Sequence, residues 1–114
     1  MTSDEFRAIA LALPETSENA HMNHPDFRVR GKVFATLGYP RAGWGMVKLT
    51  PLQQKRCIKN KPGILVPAKG AWGERGATTV LLEAIDVDTL REVAFEAWCN
   101  VAPKRLIDDL EEAD

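Results

Sequence analysis

The sequence predicts an α+β fold, a two-layer sandwich in which helices cover one face of an antiparallel sheet. Three observations lead there. Segments with a helical repeat of apolar residues stand at both ends of the chain. Segments alternating apolar and polar residues fill the middle, punctuated by turn residues. The 114 residues, 45% apolar and 27% charged, suit one ordinary soluble domain spanning residues 1–114, with a core that needs no staple.

A first helix is expected over residues 3–13. Thr2 and Glu5 have capping-box spacing, and Phe6, Ile9, Ala10 and Leu13 form one apolar stripe. Pro14 ends it. Asn23-His24-Pro25-Asp26 reads as a turn. Residues 27–37 alternate about Gly31-Lys32, a hairpin whose glycine suits the first central position of a type II′ turn. That register sets Arg30 against Val33, Val29 against Phe34, Arg28 against Ala35 and Phe27 against Thr36. Phe27, Val29 and Phe34 then share one face, and Arg28 and Arg30 the other. Residues 39–43 read as a loop, and residues 44–49 as a strand with Lys48 opposite Val47 and Leu49.

Thr50, Pro51 and Gln53 announce a second helix, by N-cap, first-turn proline and capping box, ending near Asn60. A short strand over 64–67, a loop over 68–76 and a strand over 77–82 follow. The last long helix starts near Asp86 and carries Leu90, Val93, Ala94, Ala97, Trp98 and Val101 on one stripe. Pro103 opens a final short helix with Leu106, Ile107 and Leu110. The acidic end, residues 108–114, is expected to fray. The order is helix, three or four strands, short helix, two strands, two helices. An antiparallel sheet covered on one side leaves its other face open. That face is expected to carry Arg28, Arg30 and Lys48.

The net charge of −1 conceals a segregation. Residues 1–27 carry a net −4, residues 28–75 a net +10 with Glu74 their one acid, and residues 76–114 a net −7. A middle segment this one-sided predicts a field of one sign on at least one face, unless the acidic ends neutralise it. No apolar run reaches the roughly 20 residues of a membrane span, and no signal-peptide pattern opens the chain. Cys57 and Cys99 are isolated and read as buried thiols of a reduced, cytoplasmic protein.

The stretch from His24 through Phe27-Arg28-Val29-Arg30-Gly31-Lys32-Val33-Phe34-Ala35 to Thr36 resembles the signature hairpin of the MmcQ/YjbR family. Pro14-Glu15, Lys48 with Pro51, Pro67, Trp72 and Pro103-Lys104 fit the same pattern, so the resemblance covers nearly the whole chain. It implies a small bacterial two-layer domain, similar to secretion chaperones and to frataxin. It further implies the DNA-binding label that family carries, with no catalytic residues to transfer.

Phosphate binding needs several cations on one face with few acids among them. Arg28, Arg30, Lys32 and Lys48 are the candidates on the sheet; Lys55, Arg56, Lys59, Lys61, Lys69 and Arg75 are the candidate flanks. About five neutralised phosphates would give a log–log salt slope near −4.5 on duplex DNA. Trp72, Trp44 or Tyr39 could stack on single-stranded bases. Reversing Arg28 and Arg30 together is expected to abolish binding and spare the fold. Other chemistries fare worse. His21 and His24, near Glu18 and Asp26, suggest a metal, but on a strand running into a turn positions i and i+3 face opposite ways. Helix 1 has only Asp4 and Glu5 towards an iron-binding ridge. Cys57 stands among cations that could lower its pKa, yet no histidine is placed to serve it, so a packed thiol is the expectation. The glycines match no phosphate-binding loop. The expectation is a non-catalytic, cofactor-free DNA-binding domain of low sequence specificity. The rival is a homodimerisation or protein-interaction module.

Overall fold

Three of the helices begin where a side chain takes up free backbone N–H groups. The computed structural model describes residues 1–112. Thr2 caps α1 (Ser3–Leu11), accepting from the Glu5 N–H while the Glu5 carboxylate accepts from the Thr2 N–H. Thr50 and Gln53 repeat this reciprocal box at α2 (Pro51–Asn60), and the Asp86 carboxylate caps α4 (Val87–Val101) through the Thr89 N–H. Each such cap contributes about 1 kcal/mol. Between them lie β1 (Thr16–His21), β2 (His24–Val29), β3 (Lys32–Leu37), β4 (Trp44–Lys48), β5 (Leu65–Pro67), α3 (Gly70–Glu74) and β6 (Ala77–Leu81), and α5 (Lys104–Glu112) follows α4.

The strands form one antiparallel sheet in the order β1-β2-β3-β4-β6-β5. One face is packed. Phe27, Val29, Phe34, Ala35, Leu37, Val47 and Val80 meet Phe6 and Ala10 of α1, Cys57 of α2, Leu90, Val93, Ala97 and Trp98 of α4, and Leu106 of α5. Burial of the larger of these side chains contributes about 1.5–3 kcal/mol each. Trp98 is fully buried, and its indole N–H donates to the Pro14 carbonyl at 3.0 Å. Gly45 lets α1 close on the sheet, since a Cβ there would stand 2.8 Å from the Phe6 ring.

Four expectations need correction. The first helix stops at Leu11, with Ala12 as its C-cap, two residues before the expected end. The turn between the first strands is Met22-Asn23, both at positive φ (49° and 67°), so His24-Pro25-Asp26 belongs to β2 and not to a turn. The next hairpin turns on Arg30-Gly31, at φ 52° and 81°, a type I′ pattern in place of II′. Its register pairs Val29 with Lys32, Arg28 with Val33, Phe27 with Ala35 and Asp26 with Thr36, and Phe34 is the extra residue of a bulge. The bulge keeps Phe34 in the core alongside Phe27 and Val29, so that part of the expectation holds by a different route. Finally, the 68–76 segment contains a helical turn, α3, where a loop was expected. The acidic end is helical as far as Glu112; Ala113 and Asp114, also expected to fray, lie outside the described residues.

Candidate functional site

The face of the sheet away from the core is where unusual polar groups collect. The two-residue turn makes His21 and His24 direct cross-strand partners, with ring centroids 6.4 Å apart. They therefore share a face, contrary to the i, i+3 expectation, because the chain reverses between them. Asp26 and Arg28 lie on that face too, two residues apart on β2. The Asp26 carboxylate is fully buried; its Oδ1 accepts from Arg28 Nε at 2.8 Å and its Oδ2 from Arg28 Nη2 at 3.0 Å, with His21 Nδ1 2.6 Å from the same Oδ2. The Arg28 hydrogen bonds hold the Asp26 carboxyl below the usual aspartate range, against the opposing effect of burial, and His21 adds to the lowering.

The stability contributed by this cluster is present above the unfolded-state pKa of about 3.9 and is lost as pH falls through the lower folded-state value. Asp26→Asn should therefore be less stable than the parent at neutral pH. In urea melts from pH 7 to pH 2, the gap should narrow below about pH 4. A gap that stays constant through that range would show that Asp26 carries no stabilising charge.

Opposite Asp26 stands Thr36, which is 1% exposed and whose hydroxyl has no hydrogen-bond partner. Met46 of β4 pairs with Thr36, and Lys48 lies two residues further on the same face. Over these residues leans Trp72 of α3, 47% exposed, its ring 5.9 Å from that of Tyr39. Together His21, Arg28, Val33, Thr36, Met46, Lys48 and Trp72 line a cavity of about 200 Å³. A second cavity, of about 400 Å³, shares Lys48 and Trp72 with the first and adds Thr50, Pro51, Arg75 and Asn100. Asn100 Nδ2 donates to the Lys48 carbonyl at 3.1 Å and to Gln53 Oε1 at 2.8 Å, which ties the end of α4 to the β4–α2 junction. Adjoining at Lys48 and Trp72, the two cavities give one cleft that runs from the open face to the β4–α2 junction and the end of α4, with cations along it.

Residues 11–100 match the sequence profile of the YjbR family. The chain belongs to the YjbR family. A crystal structure of Deinococcus radiodurans protein DR2400, described as a DUF419 domain, superposes with a TM-score of 0.72 at 17% identity, covering 85% of this chain and 75% of that one. This likeness shows a shared fold. No curated protein matches the chain.

On this YjbR scaffold the predicted basic residues separate into two sets. Arg28 is held by Asp26, Arg30 by Glu15 at 2.9 Å, Arg56 by Glu96 and Lys61 by Asp86 at 3.6 Å. Arg30 also leaves the open face, because it occupies the turn. Lys32, paired with the core residue Val29, points away from the Arg28 face. Lys32, Lys55, Lys59 and Lys69 are exposed but line neither half of the cleft. Arg28, Lys48 and Arg75 line it, and among the described residues neither Lys48 nor Arg75 has an ion-pair partner. Trp44, the other stacking candidate, sits under the Arg41 guanidinium at 5.9 Å.

Asp26, His21 and Thr36 were not among the predicted site residues. The Asp26-x-Arg28 spacing on a strand was the available signal for the first, since residues two apart share a face. His21 and Thr36 had none, because the turn and the bulge that aim them are set by the sheet. Cys57 is a packed thiol, with burial first and the Glu96 carboxylate second raising its pKa. That is the opposite of what a reactive cysteine needs. Neither Cys57 nor Cys99 is in a disulfide. No helix among the described residues is long and apolar enough to cross a membrane.

Proposed function

We propose that this YjbR protein binds single-stranded DNA in the cleft of its open sheet face, without catalysis and with little sequence preference. The observation that carries the reading is the pair of cavities joined at Lys48 and Trp72, with Arg28 at one end and Arg75 at the other. Cations spaced along a groove track a phosphate backbone, and an exposed indole gives a base a surface on which to stack. A single strand is favoured over a duplex because the aromatic ring is presented inside a cleft, where a paired base would not reach it. The short helix α2, with Lys55 and Lys59 exposed and Arg56 engaged by Glu96, has no partner helix set to place it in a major groove.

The test is fluorescence anisotropy with a labelled single strand and the matching duplex across a salt titration. Three phosphate contacts predict a log–log slope of about −2 for the single strand. Lys48→Glu with Arg75→Glu alters two exposed residues that have no ion-pair partner among the described residues, so the fold should survive while the slope falls to about −0.7 or binding disappears. Unchanged binding in that variant, or no binding by the parent at low salt, would overturn the reading. The latter would favour a module that binds another protein.

A further inference from the structure

We infer that the smaller half of the cleft is a pocket for a terminal phosphate, a phosphomonoester end in preference to an internal phosphodiester. Its identification with a DNA end rests on the reading above, whereas its preference for an anion rests on the pocket's own residues.

The Thr36 hydroxyl is the first of these. It is buried and has no hydrogen-bond partner among the described residues, and Thr36 lines the cavity. A buried hydroxyl almost always has a hydrogen-bond partner, and an exception calls for an explanation. A ligand oxygen in the cavity supplies that partner.

The second observation is the sign of the lining. The cations Arg28 and Lys48 border the cavity beside His21, while Asp26, bonded to Arg28 and His21, does not. The carboxylate works from behind. It holds Arg28 through Nε and Nη2 and leaves Nη1 uncommitted. Such buttressing fixes the Arg28 donor before a ligand arrives, which lowers the entropic cost of binding. Lys48 contributes an ammonium with no ion-pair partner among the described residues. An anion with several acceptor oxygens suits such a set of fixed and mobile donors.

The third is size. At about 200 Å³ this cavity is smaller than sites that take a whole ligand, which run from about 300 Å³ upward. It suits a head group. It shares Lys48 and Trp72 with the larger cavity, which adds Arg75 and Asn100. A terminal phosphate in the smaller pocket would therefore leave its first base beside the Trp72 ring.

The experiment compares two short single strands of one sequence, with a 5′-phosphate or a 5′-hydroxyl, each labelled at the 3′ end and titrated against the full chain. The parent should bind the phosphorylated strand about tenfold more tightly, the scale of one charge-assisted hydrogen bond. Inorganic phosphate should compete, and acetate should not. Thr36→Val keeps the shape, removes a hydroxyl that has no hydrogen-bond partner among the described residues, and so should melt no lower than the parent. It should lose most of the tenfold preference and bind the hydroxyl strand as before. Equal affinity for both strands, with no competition by phosphate, would overturn the pocket proposal and leave the DNA-binding reading standing. Acetate competing as well as phosphate would overturn it in favour of a carboxylate. If neither strand binds, but inorganic phosphate raises the melting temperature of the parent and not of Thr36→Val, the DNA-binding reading fails. The pocket then stands as a site for a small phosphorylated metabolite.

Discussion

Arg28→Glu is expected to destabilise the fold by about 3 kcal/mol, the low end for leaving a buried carboxylate without its cation. The Asp26 carboxylate it abandons is fully buried and would keep only His21 as a partner. The new glutamate adds a like charge beside it. Two physical effects therefore point the same way, loss of two charge-assisted hydrogen bonds and repulsion in a desolvated setting. In urea the midpoint should fall by about 1–3 M, taking an m-value near 1–3 kcal/mol/M. This reverses the expectation that charge reversal at Arg28 and Arg30 would spare the fold. Arg30→Glu alone, at an exposed pair with Glu15, should shift the midpoint little. A parent-like midpoint for Arg28→Glu would show that Asp26 does not depend on Arg28. The practical consequence is that lost DNA binding in an Arg28 variant would be uninterpretable, which is why Lys48 and Arg75 carry the functional test.

Gly76→Ala should cost a comparable amount for a different reason. Gly76 sits at φ 113°, and a Cβ there would stand 2.0 Å from the Leu49 carbonyl oxygen and 2.7 Å from its carbon. Backbone strain of about 1–3 kcal/mol adds to an overlap that costs about 1–3 kcal/mol more once the chain shifts to relieve it. A loss near 3 kcal/mol would lower the melting temperature by about 10–20 °C in a domain of this size. Gly63→Ala is the matched control. Its φ is 81°, but nothing lies within 4 Å of a Cβ there, so only the backbone strain applies. Equal melting of the two variants would refute the close approach. Gly76 follows Arg75 directly, and Gly73 follows Trp72 with its own Cβ position 1.8 Å from the Ala68 carbonyl oxygen. The tight packing of these two glycines seats the segment that presents Trp72 and Arg75. Gly76→Ala should for that reason weaken DNA binding as well as stability.

Much of this architecture was legible before folding was considered. Three features could be read locally: both capping boxes, the apolar stripe of α4, and the sequence order of helices and strands apart from α3. In each, the stabilising partner lies within a few residues. The MmcQ/YjbR resemblance was legible as well, and the family match over residues 11–100 bears it out. The candidate site was legible only in part. Arg28, Lys48, Trp72 and Arg75 stood out by type, but the cleft that joins them did not.

By itself, then, the sequence determined the α+β class, the alternation that puts Phe27 and Val29 inward, and the segregation of charge along the chain. The tertiary structure decided the rest. A shift of one residue in a hairpin moves every side chain to the other face, and only the fit of Phe27, Val29 and Phe34 into one core selects the register. That choice put Arg30 in a turn and set Thr36 against Asp26, and the Met22-Asn23 turn brought His21 to the same face. The charge segregation likewise became a surface only after folding. Glu15, Asp26, Glu96 and Asp86 each take up a cation of the basic segment, and three of them come from outside its immediate neighbourhood in sequence. What they leave unpaired along the cleft, Lys48 and Arg75, depends on which distant residues the fold brings together, and local pattern carries no record of that.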